Sequence, residues 1–223
     1  MCEVSYRKWL IMQTKVISFY SDLEGSTYYS DHAKRLKNQL DRLGLRSDIR
    51  EKKSLGSYQK NCLSKPQFIY YMLVQKQQPV LWLDVDSDVR QPLNVFDLFQ
   101  DNTDLAFTCS LPKLYAAKAS PIYLAFNSKV LEFLQHWIHV AKNFEETGKW
   151  FDHEALLGII NKFYTQEGFR MKFVGPEYCV WPGEEAANSV IVMGLADVES
   201  KKQSLRELGI NEEAIAWQSP GTK

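Results

Sequence analysis

Pro79-Val80-Leu81-Trp82-Leu83-Asp84-Val85-Asp86-Ser87-Asp88-Val89-Arg90-Gln91-Pro92 decides how the chain is read. Val80 to Leu83 is short, apolar and β-branched or aromatic, and prolines bracket the stretch, so it predicts a buried strand. Asp84, Asp86 and Asp88 follow at alternate positions, which on an ideal strand share one face. Three anions side by side repel one another and are costly to desolvate unless a cation compensates them. Hard divalent cations such as Mg²⁺ or Mn²⁺ take oxygen ligands of this kind and often bridge them to phosphates. The competing reading is a strand that ends in a solvated acidic turn. The apolar strand leading directly into the carboxylates favours a site.

Composition narrows the classes. A chain of 223 residues with 45% hydrophobic content can bury one full domain, or one domain and a small appendage. Lysine and arginine number 27, as do aspartate and glutamate, and no long basic stripe is present, which argues against nucleic-acid binding. Cys2, Cys62, Cys109 and Cys179 are far apart and form no Cys-x-x-Cys pair, so neither a zinc ribbon nor a dithiol motif is encoded locally. No segment is long and apolar enough to span a bilayer, and the first residues lack a signal peptide's apolar core. The expectation is a soluble, cytoplasmic protein without a transmembrane segment, with peripheral membrane contact left open.

Working outward from the carboxylates, the chain divides into an N-terminal extension (1–14), one domain (15–197) and a C-terminal helix and tail (198–223). The domain opens with a strand at Lys15–Tyr20. A helix follows in which Tyr29, Ala33, Leu36, Leu40 and Leu43 share a face and Gly44 is the stop; a second strand runs over Leu45–Ile49. Strand, helix, strand implies a parallel βαβ unit. Ser64-Lys65-Pro66-Gln67 reads as a capping box that starts a helix with an apolar face of Phe68, Ile69, Met72 and Leu73. Further strands are predicted at Leu105–Cys109, Pro121–Phe126, Met171–Val174 and Val190–Met193. Further helices are predicted from Ser128 to about Phe144 and from Asp152 to about Phe163. The fold class is α/β, a single domain whose mixed, mostly parallel central sheet is flanked by helices. In such sheets ligands bind beyond the carboxyl ends of the strands, where both the loop after Tyr20 and the Asp84–Asp88 segment lie.

Three families carry an Asp-x-Asp segment of this kind. An EF-hand loop needs glycine at its sixth position and glutamate at its twelfth; here these are Val89 and Val95, so that reading fails. A haloacid-dehalogenase-type phosphatase would use Asp84 as nucleophile and Asp86 as acid/base. Asp88 departs from that pattern, and the motif would open the fold rather than follow a βαβ unit. The segment Leu81–Val89 resembles instead the Asp-x-Asp region of GT-A fold glycosyltransferases, the nucleotide-diphospho-sugar transferase superfamily. Lys65–Ile69, Pro121–Asn127 and Trp150–Leu157 are similar to the flanking segments of that fold, so the resemblance spans most of residues 15–195.

The resemblance implies a set of roles. Tyr20, Ser21 and Asp22 would meet the nucleobase. Asp84 and Val85 would lie at the ribose, and Asp86 would ligate a Mn²⁺ or Mg²⁺ ion held with the diphosphate. Asp88 would be a second or water-mediated metal ligand. Lys65 would reach ribose or phosphates, or be an ordinary surface lysine, and Asn127 would end the strand beneath the donor sugar. Several branches of the fold add a C-terminal histidine ligand; the corresponding stretch, Val190 to Gly194, has none. The partners implied are a nucleotide-sugar donor and a glycan or glycoconjugate acceptor.

An inverting reaction needs a base at the acceptor hydroxyl. Asp152 and Glu154 are the catalytic candidates, with His153 as a third. Acidic residues in a first helical turn also serve the helix dipole, and Asp152 could simply be an N-cap. Trp150, Phe151, Tyr178 and Trp181 could stack on sugar rings, whereas Trp137 fits a helix's core face. His32, His136 and His139 show no metal-ligand spacing. The reading that follows is a metal-dependent glycosyltransferase using a UDP-sugar, inverting or retaining. The alternatives are a nucleotide-sugar-binding protein without transfer activity, or the phosphatase.

Overall fold

The structure is a computed structural model that describes residues 14–22, 25, 27–100, 102–108, 114, 117–148 and 151–195. The predicted C-terminal helix and nearly all of the N-terminal extension lie outside the described residues, as do Trp150, Cys2 and Cys109.

Eight strands and five helices follow in the order β1 (Lys15–Tyr20), α1 (Tyr28–Arg42), β2 (Ser47–Glu51), α2 (Tyr58–Leu63), α3 (Lys65–Lys76), β3 (Val80–Trp82) and β4 (Asp88–Val89). Then come β5 (Leu105–Thr108), β6 (Ile122–Leu124), α4 (Ser128–Thr147), α5 (Asp152–Tyr164), β7 (Met171–Val174) and β8 (Ile191–Val192). Six strands form the central sheet in the order β2-β1-β3-β6-β5-β7, and β4 pairs with β8 in a separate ribbon. Only β6 runs against the others, being antiparallel to both β3 and β5. This is the mixed, mostly parallel sheet expected for an α/β domain.

The β1–α1–β2 unit is parallel as predicted, with Val16 opposite Ser47. On its other side β1 pairs in parallel with β3, Ile17 opposite Trp82. The carboxyl ends of β1 and β3 are therefore neighbours. Helix α1 packs on β1, β2 and β4, whereas α2, α3 and α5 all pack on or beside α4. Right-handed crossovers on either side of β1 put these two helical groups on opposite faces of the sheet. Leu36, Leu40, Ile69, Trp82, Phe107, Tyr123 and Trp137 are fully or almost fully buried between them.

Three local expectations change. First, β3 stops at Trp82 and the chain turns: Ser87 N–H donates to Asp84 O at 3.1 Å, and Ser87 Oγ–H donates to the same oxygen. Asp84, Asp86 and Asp88 thus sit on a turn and on the next strand, not on one face of a single strand. Second, an additional helix, α2, runs directly into α3. Ser64 consequently adopts helical angles, and its hydroxyl donates to Asn61 O instead of capping α3. Third, β2 lies two residues later than predicted.

Asp104 ties the far end of the sheet together. Its side chain is 1% exposed, accepting from Arg170 N, Nε and Nη2 and from Asn127 Nδ2. Burial disfavours its charge, but the Arg170 and Asn127 donors outweigh burial and hold the carboxyl below its usual range. A depressed folded-state pKa contributes stability that is complete above about pH 4 and is lost as pH falls through the depressed value. Asp104→Asn should therefore cost about 2 kcal/mol at pH 7. The gap from the parent protein should narrow on acidification; an equal gap in urea melts at pH 7 and pH 3 would exclude this role for the ion pair.

Candidate active site

A cavity of about 410 Å³ opens beyond the carboxyl ends of β1 and β3. Phe19, Tyr20 and Ser21 enter from β1, and Tyr29 from α1. Helix α2 contributes Tyr58, Asn61 and Cys62, and the turn after β3 contributes Asp84, Val85 and Asp86. The rest of the lining comes from Lys118 to Ser120, the start of α5 at Phe151 to Glu154, and Cys179, Trp181, Met193 and Gly194; the Phe151 ring lies 5.8 Å from that of Tyr58.

Lys65, the first residue of α3, is the centre of this cavity. Its Nζ lies 2.8 Å from Asp84 Oδ1 and 2.5 Å from Asp152 Oδ2, and its side chain is 8% exposed. It also reaches Ala119 O at 3.5 Å. An ammonium at a helix N-terminus opposes the helix dipole; two carboxylates compensate it here. Burial disfavours the Lys65 charge, yet Asp152 and Asp84 outweigh burial and raise its pKa above the ordinary lysine value. Lys65 is thus no surface lysine.

Each partner is itself fixed. Trp82 Nε1–H donates to Asp84 Oδ1 at 3.0 Å, and Asp84 N–H donates to Ser120 Oγ at 2.9 Å. Trp137, buried in the core as expected, donates from Nε1 to Asp152 O at 3.0 Å. Asp152 is the first residue of α5 rather than its N-cap, a position taken by Phe151. Glu154 Oε2 accepts from Phe151 N–H at 3.0 Å, so this carboxylate closes the helix start.

The electrostatics of the cavity are unbalanced. Burial raises the Asp84 pKa; Lys65 opposes the shift, while Asp152 and Asp86 reinforce it. Asp86 is buried and raises the hydroxyl pKa of Tyr29, where burial is the larger cause, and of Tyr58, where Cys62 and burial act first. His153 is shifted down by burial, with Lys118 and Lys65 adding to the effect against Glu154 and Asp152. Its imidazole is neutral at neutral pH. Four carboxylates (Asp84, Asp86, Asp152 and Glu154) and two ammonium groups (Lys65 and Lys118) line the cavity, a negative surplus that a divalent cation would offset.

The donor set fits such an ion in a reduced form. Asp86 and Asp84 offer hard oxygen ligands, but among the described residues no group of three or more His, Cys, Asp or Glu side chains converges to hold a metal. Asp88, expected as a second ligand, is turned away: it accepts from Gln39 Nε2 and from Arg90 Nε, the latter at 2.9 Å. With two carboxylates, the remaining positions fall to phosphate and water, a common arrangement for Mg²⁺.

Other predicted residues are also displaced from the site. Asp22 caps α1, accepting from Tyr29 N–H at 2.7 Å and Ser30 N–H at 3.2 Å. Asn127 caps α4 through Val130 N–H and binds Asp104. Tyr178 packs edge-on against Phe96 at 5.6 Å. The structure does gather Tyr20, Ser21, Lys65, Asp84, Val85, Asp86, Asp152 and Glu154 around one cavity, with Phe151 and Trp181. Lining residues missed include Phe19, Tyr29, Tyr58, Cys62, Lys118 and Gly194. Tyr58 and Cys62 are one helical turn apart, but their helix is too short for a clear periodic signal.

No protein-family model matches the chain, and no curated protein sequence does. Among solved structures it is similar to the crystal structure of a glycosyltransferase involved in the glycosylation of the major capsid of PBCV-1. The two share 13% sequence identity over 88% of this chain and 98% of that chain, with a TM-score of 0.62. At that identity what is shared is the fold: this chain has the fold of a glycosyltransferase.

Proposed function

We propose that the protein is a metal-dependent glycosyltransferase that moves a sugar from a nucleotide-diphosphate donor, UDP-linked as the sequence resemblance implies, to a hydroxyl of a glycan or glycoconjugate. The observation that carries this reading is the Lys65–Asp84–Asp152 cluster beside Asp86, at the carboxyl ends of two neighbouring parallel strands. A diphosphate would be repelled by these carboxylates if it entered alone, so the donor must arrive with a cation.

Asp86 and Asp84 are the residues that would hold Mn²⁺ or Mg²⁺. When bound, such an ion neutralises the charge that develops on a departing diphosphate. Phe19, Tyr20 and Tyr58 supply aromatic surface in the lining that a nucleoside could stack on. Lys65 holds Asp84 and Asp152 in register, so that the donor-binding turn and the start of α5 face each other. Asp152 and Glu154 use one oxygen each on Lys65 and on Phe151 N–H, which orients their carboxylates at the cavity wall. There they can accept a proton from an acceptor hydroxyl or bind the hydroxyls of the sugar.

The test is a panel of nucleotide sugars with Mn²⁺ or with EDTA, read by thermal shift and by release of nucleoside diphosphate. Mn²⁺-dependent binding and slow donor hydrolysis are expected. Neither binding nor turnover across the panel would overturn the reading. Phosphate release from simple phosphomonoesters would favour the phosphatase instead.

A further inference from the structure

Lys118 and Trp181 line the cavity beside each other: Lys118 Nζ lies 5.8 Å from the centroid of the Trp181 ring. Lys118 also acts electrostatically on His153 and on Cys179, which Asp84 reaches as well.

The position of Trp181 is fixed by backbone. Val180 bridges Val192, and Met193 N–H donates to Val180 O at 2.8 Å, which brings Trp181 beside Gly194. Gly194 has φ +71°, and a Cβ there would stand 2.8 Å from Trp181 Cζ3. The indole therefore rests on bare backbone, a seat that only glycine provides. Its partly exposed ring lines the cavity as a rigid apolar surface. Lys118, by contrast, has no carboxylate partner among the described residues; its neighbours are the indole and the neutral His153.

A flat aromatic face with an ammonium beside it is complementary to a ring that has an apolar face and an anionic substituent. Asp84 and Asp152 share the single ammonium of Lys65, which disfavours a bare anion beside them, so Lys118 is the cation beside which one is accommodated. We propose that Trp181 and Lys118 form the acceptor subsite, and that the acceptor is a sugar carrying a carboxylate or a phosphate ester. The proposal rests on the glycosyltransferase reading of the same cavity.

The test uses three pairs of soluble probes: methyl glucoside and methyl glucuronide, galactose and galacturonic acid, glucose and glucose 6-phosphate. Each is titrated by ligand-observed NMR against the full chain with UDP and Mg²⁺. At least one acidic member should bind tenfold or more tightly than its neutral partner. Lys118→Met should abolish that preference while changing UDP affinity by less than threefold, and Trp181→Ala should weaken acidic and neutral members alike. No tenfold preference in any pair would overturn the proposal. So would a Lys118→Met protein that keeps the preference but loses UDP affinity, since the lysine would then serve the donor. UDP that fails to bind the parent protein would instead overturn the donor reading, and the acceptor role with it.

Discussion

Asp86→Asn should abolish metal-dependent donor turnover while the protein remains folded. Asparagine keeps the shape of the side chain but offers a neutral oxygen in place of a carboxylate. On the proposed reading, a hard divalent cation would then lose a carboxylate ligand in the cavity. The expected loss is at least about 100-fold in turnover, the scale on which charge-stabilising groups act in transfer reactions. The melting temperature should move by only a few degrees. Asp88→Asn is the sharp contrast: that carboxylate is occupied by Gln39 and Arg90 outside the cavity, so turnover should fall by less than about tenfold. Equal losses in the two variants would mean that the acidic turn acts as a unit. Undiminished turnover in Asp86→Asn would remove the metal from Asp86 altogether.

The second large effect is on stability. Lys65→Met leaves Asp84 and Asp152 facing each other at the base of the cavity without their shared cation. Breaking a buried ion pair by removing one partner typically costs about 3–5 kcal/mol, because the surviving charge stays desolvated. For a chain of this size that corresponds to a fall in melting temperature on the order of 10 °C. The pH dependence has a definite sign. In the parent protein the raised pKa of Lys65 keeps the ammonium's contribution complete at neutral pH, to be lost only as pH rises through that raised value. In the variant the unpaired negative charge is the problem; burial already raises the Asp84 pKa, and protonating that carboxyl relieves it. Its deficit should therefore shrink as pH is lowered from 7 toward 5, and Lys65→Met combined with Asp152→Asn should recover part of the loss at neutral pH. A variant melting within 2 °C of the parent at pH 7 would show that the three groups do not depend on one another.

Periodicity located most of the fold. The strand at Lys15–Tyr20, the α1 face ending before Gly44, and the two long helices after Ser128 and Asp152 all emerged close to their predicted positions: the helices each have an apolar face of helical period, and the strand is a short apolar run buried on both faces. The junction of α2 and α3 did not, because a six-residue helix carries too little pattern and Ser64 looks like a cap in sequence whichever helix it ends or begins. At the site, the residues around Asp84 were legible as chemistry but not as geometry. Alternation assigned three carboxylates to one face, whereas a turn closed by Ser87 sends Asp86 inward and Asp88 outward. Asn127 sits where α4 starts, and a side-chain oxygen just before a helix binds its free N–H groups first, whereas Asp22, six residues ahead of α1, reaches that helix's N–H groups only because the loop folds back. Lys118 and Gly194 carry no local signal at all; only the fold makes them neighbours of Trp181.

The β4–β8 ribbon, which joins Asp88–Val89 to Ile191–Val192, has a consequence for how the protein is made. Asp86 O accepts from Leu195 N–H, and Ser87 meets Met193, 106 positions further along the chain. The β1–α1–β2 unit closes from nearby parts of the chain, but these contacts must wait for distant ones, and distant contacts form slowly. On a ribosome, the sheet can begin to assemble while the last wall of the cavity is still unsynthesised. A nascent chain stalled before residue 195 would hold most of the sheet and no finished cavity, so competence to bind arrives after most of the fold is in place.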